Sequence, residues 1–191
     1  MSNSTPRPKL QVVMRRPNLD NLPPTQLPNG YTLRSFRDGD ESAWDNIAGE
    51  AFEVEDRDGW FERRMRGDEE YRPDRIFLIC KANEPIATAS AWFRHIYGEE
   101  TGYLHMVAVM QSERGKGLGY QVSLACLYKM AEEKRTAATL VTEMVRIPAI
   151  MTYLKLDFQP HIMLEEQRER WRNVFIHMDR PELIEKFADI L

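Results

Sequence analysis

The segment Val107-Ala108-Val109-Met110-Gln111-Ser112-Glu113-Arg114-Gly115-Lys116-Gly117-Leu118-Gly119-Tyr120 constrains the fold more than any other part of this 191-residue chain. An apolar strand, Leu104 to Val109, runs into a turn with glycine at 115, 117 and 119, and the turn opens a helix. Glycine lets a backbone turn through positive φ and leaves its N–H groups unobstructed by side chains. The first N–H groups of a helix lack intrahelical partners, and the helix dipole is positive there. Successive donors of this kind make an anion site. Arg114 and Lys116 add positive charge beside it. The segment therefore reads as a phosphate or pyrophosphate cradle between a strand and a helix. A nucleotide P-loop would need Gly-x-x-x-x-Gly-Lys-Ser/Thr, and a dinucleotide fingerprint would need Gly-x-Gly-x-x-Gly, but position 120 is Tyr. The remaining alternative is a structural turn that binds nothing.

Around this segment the periodicities alternate between two and 3.6. The spacing predicts a strand over Tyr31 to Phe36 after the Asn29-Gly30 turn, then a helix capped by Asp38 or Asp40 that carries Ala43, Trp44, Ile47, Ala48, Ala51 and Phe52 on one face. A second helical piece spans Trp60 to Arg66, with Asp58 as its cap. Strands over Ile76 to Lys81, Ile86 to Arg94 and Tyr103 to Val109 form a meander. The long helix Gly117 to Lys134 buries Leu118, Val122, Ala125, Leu127, Met130 and Ala131. A strand at Thr139 to Glu143, a helix at Pro148 to Leu156 and a strand at Phe158 to Leu164 follow. This order is that of an α/β sheet with an antiparallel front and a crossover helix behind.

Both ends differ from the centre. Residues 1–29 hold six of the eleven prolines and read as an extended arm, disordered at its start, with Leu10 to Met14 as a short strand laid on the body. Residues 165–191 are a charged, amphipathic extension packing on the core, in which Arg168, Arg170 and Arg172 surround an inward-facing Trp171.

Composition excludes several classes. Lys and Arg number 26 against 30 Asp and Glu, a net charge of −4, which is the wrong sign for broad nucleic-acid binding. No run of about 18 apolar residues exists to span a membrane, and Met1 to Arg16 lacks the apolar stretch of a signal peptide. Cys80 and Cys126 lie in apolar stretches and read as buried thiols, not a disulfide framework. The expectation is a cytoplasmic protein with no nucleic-acid or membrane partner and no metal site.

Two motifs carry a resemblance. Arg114-Gly115-Lys116-Gly117-Leu118-Gly119 resembles the Arg/Gln-x-x-Gly-x-Gly/Ala motif of the GNAT superfamily of N-acetyltransferases. Ala149-Ile150-Met151-Thr152-Tyr153-Leu154-Lys155-Leu156-Asp157-Phe158 resembles the family's Asn-x-x-Ala-x-x-Leu-Tyr-x-x-x-Gly-Phe segment, in the right order and with the right strand between. The likeness runs from about Tyr31 to Leu164. It implies a single-domain GNAT-like acyl-CoA N-acyltransferase fold over 30–164, with a central mixed, mostly antiparallel sheet flanked by helices.

The resemblance also implies acetyl-CoA as co-substrate. Gly115, Lys116, Gly117, Leu118 and Gly119, with Arg114 and Tyr120, would hold its pyrophosphate, and Met106, Val107, Ala108 and Val109 its acyl-pantetheine arm. The implied activity is direct transfer of acetyl to a primary amine of a small molecule or peptide. Tyr153 matches the family's general acid, which protonates the departing thiolate. Two positions depart from the pattern. Arg146 stands for the usual Asn and is assigned to the cofactor, with an acidic acceptor or a local ion pair as alternatives. Asp157 stands for the usual Gly, and Asp tolerates a left-handed turn.

A general base is harder to place. His105 lies on the strand entering the cofactor site, and a neutral imidazole accepts protons near pH 7. Alternation points it away from Leu104 and Met106, and a buried structural histidine is the competing reading. His95, Glu99, Glu100 and Glu143 are further candidates. For the acceptor, Phe52, Glu53, Glu55, Asp56, Asp58, Trp60 and Phe61 combine acids with aromatics, which suits a cationic amine, with a solvated charged loop as the competing reading. The alternative to an enzyme is a non-catalytic acyl-CoA-binding sensor or scaffold, and a homodimer is compatible with either.

Overall fold

A computed structural model describes residues 10–191, so the expected disorder of the first residues lies outside the described part. The described elements run β1 (Gln11–Arg16), β2 (Tyr31–Ser35), α1 (Glu41–Phe52), β3 (Ile76–Lys81), β4 (Glu84–Phe93), β5 (Thr101–Val109), α2 (Leu118–Glu132), β6 (Ala137–Glu143), α3 (Ile147–Lys155), β7 (Gln159–His161), α4 (Glu166–His177) and α5 (Glu182–Lys186). This is the α/β order the periodicities predict. Packing divides it into two units, residues 16–139 and residues 140–191 with the N-terminal strand through Arg15.

In the first unit the strand order is β2-β3-β4-β5-β6, antiparallel except for the parallel pair β5 and β6. One face of this sheet is apolar. Ile76, Leu78, Cys80, Trp92 and Ala108 meet Phe36, Trp44, Ile47, Ala48, Phe61 and Met65 in a buried cluster. The other face is lined by small residues, Ala87, Ala89 and Ala91, one pleat apart, and α2 packs on β4 and β5. The approach is close at Gly102, where a Cβ would come within 2.5 Å of Met130 Sδ. Along the outside of α2 runs the proline-rich segment. Tyr128 Oη donates to the carbonyls of Leu22 (3.1 Å) and Pro23 (3.2 Å), and the Gln26 N–H donates to Gln121 Oε1 (2.9 Å).

Two predicted caps are used differently. Asp40 precedes α1, but its carboxylate takes the Arg34 guanidinium in two bonds (2.6 and 2.8 Å) and the Arg37 N–H at 2.8 Å. A bidentate charge-assisted pair outcompetes a helix cap. The piece predicted from Trp60 is a π-turn over Glu62–Arg66, and the N–H of Phe61 is taken by Asp45 of α1 at 2.5 Å, in place of an Asp58 cap.

In the second unit β1 lies between β6 and β7. Val13 faces His161, and the Met144 N–H reaches the Leu10 carbonyl at 2.9 Å. Val12, Val13 and Met14 are all buried, so the expected arm contains an interior strand. A strand covered on both faces reads as an unbroken apolar run, not an alternating one. The strand predicted to Leu164 ends at His161, because Gln167 Oε1 takes the N–H groups of Met163 (2.7 Å) and Leu164 (3.1 Å). Trp171 is buried as expected, 5.3 Å from Phe175, which stacks on Phe187 at 5.9 Å. Cys80 and Cys126 are free and buried. No helix among the described residues is long and apolar enough to cross a membrane.

Candidate functional site

The site in the first unit begins with an interruption in β5. Thr88 pairs with Ala108 and Ser90 with His105, so Ala89 faces both Met106 and Val107. This is a β-bulge, and Met106 sits in it at φ 50°. A bulge takes its extra residue out of the ladder and turns its backbone aside. Met106, Val107 and Val109 are half-buried and Ala108 is buried. The four residues expected to hold the pantetheine arm thus bracket the one place where β5 leaves its partner.

A single 3-10 turn, Gln111–Glu113, leads from β5 to the glycines. Gly115 has φ 79° and Gly117 φ 76°, and a Cβ built on either would project into open space. Leu118 starts α2, whose first backbone bond runs from the Gln121 N–H to the Gly117 carbonyl at 3.1 Å. Among the described residues no acceptor takes the backbone N–H of any residue from Gly115 to Tyr120. Six successive donors thus stand at a helix N-terminus, where an anion is favoured. Gly119 is less demanding, since its Cβ would make ordinary contact with Val109 Cγ2 at 3.6 Å. Arg114 is exposed and pairs with no acid among the described residues.

Lys116 is not the free charge the sequence suggests. Its Nζ lies 2.6 Å from Glu113 Oε2. The same carboxylate receives Tyr31 Oη of β2 at 2.6 Å and Lys81 Nζ of β3 at 2.9 Å. These bonds, Lys116 first, hold Glu113 down to a pKa of about 2. Sequence reasoning missed Glu113, Tyr31 and Lys81. The first directly precedes the motif, and the others join it only through folding.

His105 is 8% exposed, with its ring 5.9 Å from Trp92 and 5.4 Å from Tyr103, which stacks on Tyr97 at 5.6 Å. Burial, aided by Arg64 and Arg94, pushes its pKa down to about 3. Such an imidazole is neutral across the physiological range and holds an abstracted proton poorly. His95 is exposed, and its Nδ1 lies 2.8 Å from Glu99, which raises its pKa. Glu69, Glu70 and His95 have ligand atoms within 4.8 Å of one another, with Glu70 half-buried and also paired with Arg75 at 3.1 Å.

The acidic and aromatic groups expected near the acceptor divide between core and surface. Phe61 is buried, stacked on Phe36 at 4.6 Å, and Trp60 packs on Trp44 (5.4 Å) and Phe52 (6.2 Å). Glu53, Glu55, Asp56 and Asp58 are exposed. The aromatics serve the core and the acids face water.

In the second unit, Tyr153 lies near the end of α3 and is 6% exposed. The helix closes with Asp157 at φ 59°. The Phe158 N–H reaches the Tyr153 carbonyl (3.0 Å) and the Asp157 N–H reaches the Leu154 carbonyl (3.2 Å). These are the two bonds of a Schellman motif, with the left-handed residue at its usual place. The accompanying hydrophobic contact is Phe158 against Tyr153, ring centroids 6.1 Å apart. Asp157 therefore adopts the conformation expected of the missing glycine. Arg146 caps α3 through its carbonyl, which receives the N–H groups of Ala149 (3.0 Å) and Ile150 (3.1 Å), and its Nε lies 3.5 Å from Glu143 Oε2.

Comparison with known proteins adds to this geometry. A family model described as the acetyltransferase (GNAT) family matches residues 42–158. A mycothiol acetyltransferase from Thermomonospora curvata is 29% identical over 158 residues, covering 80% of this chain and 52% of that protein. One from Streptomyces bingchenggensis is 30% identical over 156 residues, covering 76% of this chain and 49% of that protein. The chain spans about half the length of these curated relatives. Among solved structures, a GCN5-related N-acetyltransferase from Sphaerobacter thermophilus superposes with a TM-score of 0.63 at 22% identity, over 79% of this chain and 48% of that one. The ribosomal-protein-S18-alanine N-acetyltransferase from Escherichia coli gives 0.56 at 17%, over 69% and 79%. At these identities the structures share a fold.

Proposed function

This chain belongs to the GNAT family of acetyltransferases, and from that premise we propose that it transfers acetyl from acetyl-CoA directly to a primary amine of a small molecule or peptide. The observation that carries the reading is the row of backbone donors from Gly115 to Tyr120 with no acceptor among the described residues. A diphosphate carries the charge and the acceptor atoms such a row requires. Acetyl-CoA supplies a thioester, an acetyl group already activated for attack.

Within that reading the residues divide the work. The amides of Gly115, Lys116, Gly117, Leu118, Gly119 and Tyr120 hold the pyrophosphate, with Arg114 as the nearby cation. The backbone of Met106 to Val109, opened by the bulge, positions the acyl arm. Donors aimed at a developing oxyanion are worth about 3 kcal/mol each when removed. Tyr153 gives its phenolic proton to the leaving thiolate, a role supported by its match to the motif and its rigid seat before Asp157. His105, neutral in its pocket, accepts a hydrogen bond from the attacking amine, whose proton passes to solvent as the C–N bond forms and the C–S bond breaks. Arg146 is assigned to the cofactor through its motif position, and cofactor binding would then compete with Glu143 for its guanidinium. The names of the curated relatives make a mycothiol-related amine the first acceptor to try.

One observation favours a second reading, a module that binds acyl-CoA without turnover: the low basicity of His105 removes the histidine of β5 as a strong base. A panel of amines that includes a mycothiol-related one, incubated with acetyl-CoA and read by thiol release, separates the two. Acceptor-dependent release supports the enzyme. Calorimetric binding of acetyl-CoA with no release on any amine supports the module, and absence of binding sinks both.

A further inference from the structure

We propose that Glu113 is a positioning residue for the cofactor: it ties the glycine turn to the β2–β3 edge through Lys116 and so holds the backbone donors in the arrangement an anion needs. A carboxylate two residues before an anion cradle has the wrong sign to attract the ligand, so its presence there calls for another role. Its surroundings supply one. Glu113 is 8% exposed, and its oxygens receive Tyr31 Oη (2.6 Å), Lys81 Nζ (2.9 Å) and Lys116 Nζ (2.6 Å). Two of those donors belong to strands, which fix their backbones. The third is the only side chain between Gly115 and Gly117, two residues at positive φ with open space around them.

A turn of this kind has little to hold it. Glycine on both sides maximises the backbone freedom of Lys116, and no acceptor among the described residues takes the amides from 115 to 120. Among the described residues the Lys116–Glu113 pair is the one side-chain tether from the glycines themselves, and it ends on an anchored carboxylate. An isolated surface pair contributes little, but this acceptor is already immobilised by two other donors. Preorganising a loop in its bound shape improves affinity by lowering the ordering cost of binding. Lys116 on this view acts through Glu113 and not on the phosphate.

The rival role predicts the opposite sign. If Lys116 reaches the phosphate directly, Glu113 merely competes for it, and removing the carboxylate charge frees the lysine and strengthens binding. Glu113→Gln keeps size and an acceptor for Tyr31 while removing the charge. Tethering predicts that acetyl-CoA binds this variant about tenfold more weakly, a change carried by KM with kcat at saturation within about twofold. It also predicts lower NMR backbone order parameters for residues 115–120 in the ligand-free protein, with those of the strands unchanged. Lys116→Met should show the same drop, and Lys116→Arg should restore the order. Unchanged or tighter binding of acetyl-CoA by Glu113→Gln overturns the proposal, as do unchanged order parameters of the turn in Lys116→Met. The affinity arm rests on the acetyl-CoA reading above. A wild type that does not bind acetyl-CoA sinks that reading, while the ligand-free order parameters still decide the tether.

Discussion

The two helix ends that carry the motifs solve opposite problems with the same backbone conformation. At the start of α2, Gly115 and Gly117 turn through positive φ and leave the N–H groups from 115 to 120 without acceptors among the described residues. At the end of α3, Asp157 takes a similar φ, 59°, and the chain closes on itself with both Schellman bonds made. On the proposed reading the unsatisfied end is completed by a ligand, while the other end is complete in itself and seats an aromatic side chain. The difference accounts for which substitution each motif accepts. A Cβ at Asp157 adds some strain in a turn that touches only its own chain. A Cβ at Gly115 or Gly117 meets no protein atom within 4 Å, so glycine serves the positive φ there and, on the proposed reading, the approach of a ligand.

The comparison is tested first through what each end presents. Tyr153→Phe leaves the Schellman turn and the Phe158 contact in place but removes the proton. Its kcat on a cognate amine should fall on the order of 100-fold with KM for acetyl-CoA little changed. Turnover equal to wild type near neutral pH would remove Tyr153 from the mechanism. Gly117→Val attacks the other end. A β-branched residue at φ 76° is strained by about 1–2 kcal/mol. The loop can relieve that strain by turning its peptide away from the cradle. Restoring the bound shape then costs the same energy, so acetyl-CoA affinity should drop about five- to thirtyfold. Calorimetry measures this, and a retained melting temperature shows that the loss is local.

How legible these ends were in the sequence follows from what holds them. The glycine turn could be read directly, because its chemistry is that of a local backbone at a helix start. Asp157 was read for the same reason, since the side chain needed only to tolerate a left-handed turn. Met106 was not legible as a bulge residue: nothing in Leu104-His105-Met106-Val107 marks a positive φ, which a large side chain rarely adopts. The Glu113 cluster was invisible because Tyr31 and Lys81 lie 82 and 32 residues away in sequence. β1 was read as part of an arm because prolines surround it, while its neighbours β6 and β7 come from beyond residue 136. The acceptor region was legible in part. Its exposed acids match the solvated charged loop that the sequence also offered, while Phe61 and Trp60 have the spacing of a cleft and of a core alike, and their packing on Phe36 and Trp44 sets them against the core.

The closed end should respond in stability, not in affinity. Asp157→Val places a β-branched residue at φ 59° inside a turn that cannot open without breaking both Schellman bonds. It should cost about 1–2 kcal/mol, seen as a melting point lowered by roughly 2–8 °C for a chain of this size. Asp157→Gly should remain within about 1 kcal/mol of wild type, since relief of strain opposes the added freedom of the unfolded chain. If valine is as well tolerated as glycine, the turn is not the rigid seat described.

The smallest effect probes the tether under the open end. Glu113 in the folded protein titrates near pH 2, below its ordinary value of 4.5, because Lys116, Tyr31 and Lys81 bond its charged form. A lowered carboxyl pKa means that the unfolded state binds protons first as pH falls. The contribution is therefore complete above about pH 4.5 and drains away between 4.5 and 2. Glu113→Gln removes the titrating group, so its stability curve should be flatter than wild type across that window and parallel to it above pH 5. Equal slopes below pH 4.5 would mean that the carboxylate is not held by its three donors. The network would then be too weak to order the turn, and the contrast between the two helix ends would rest on the glycines alone.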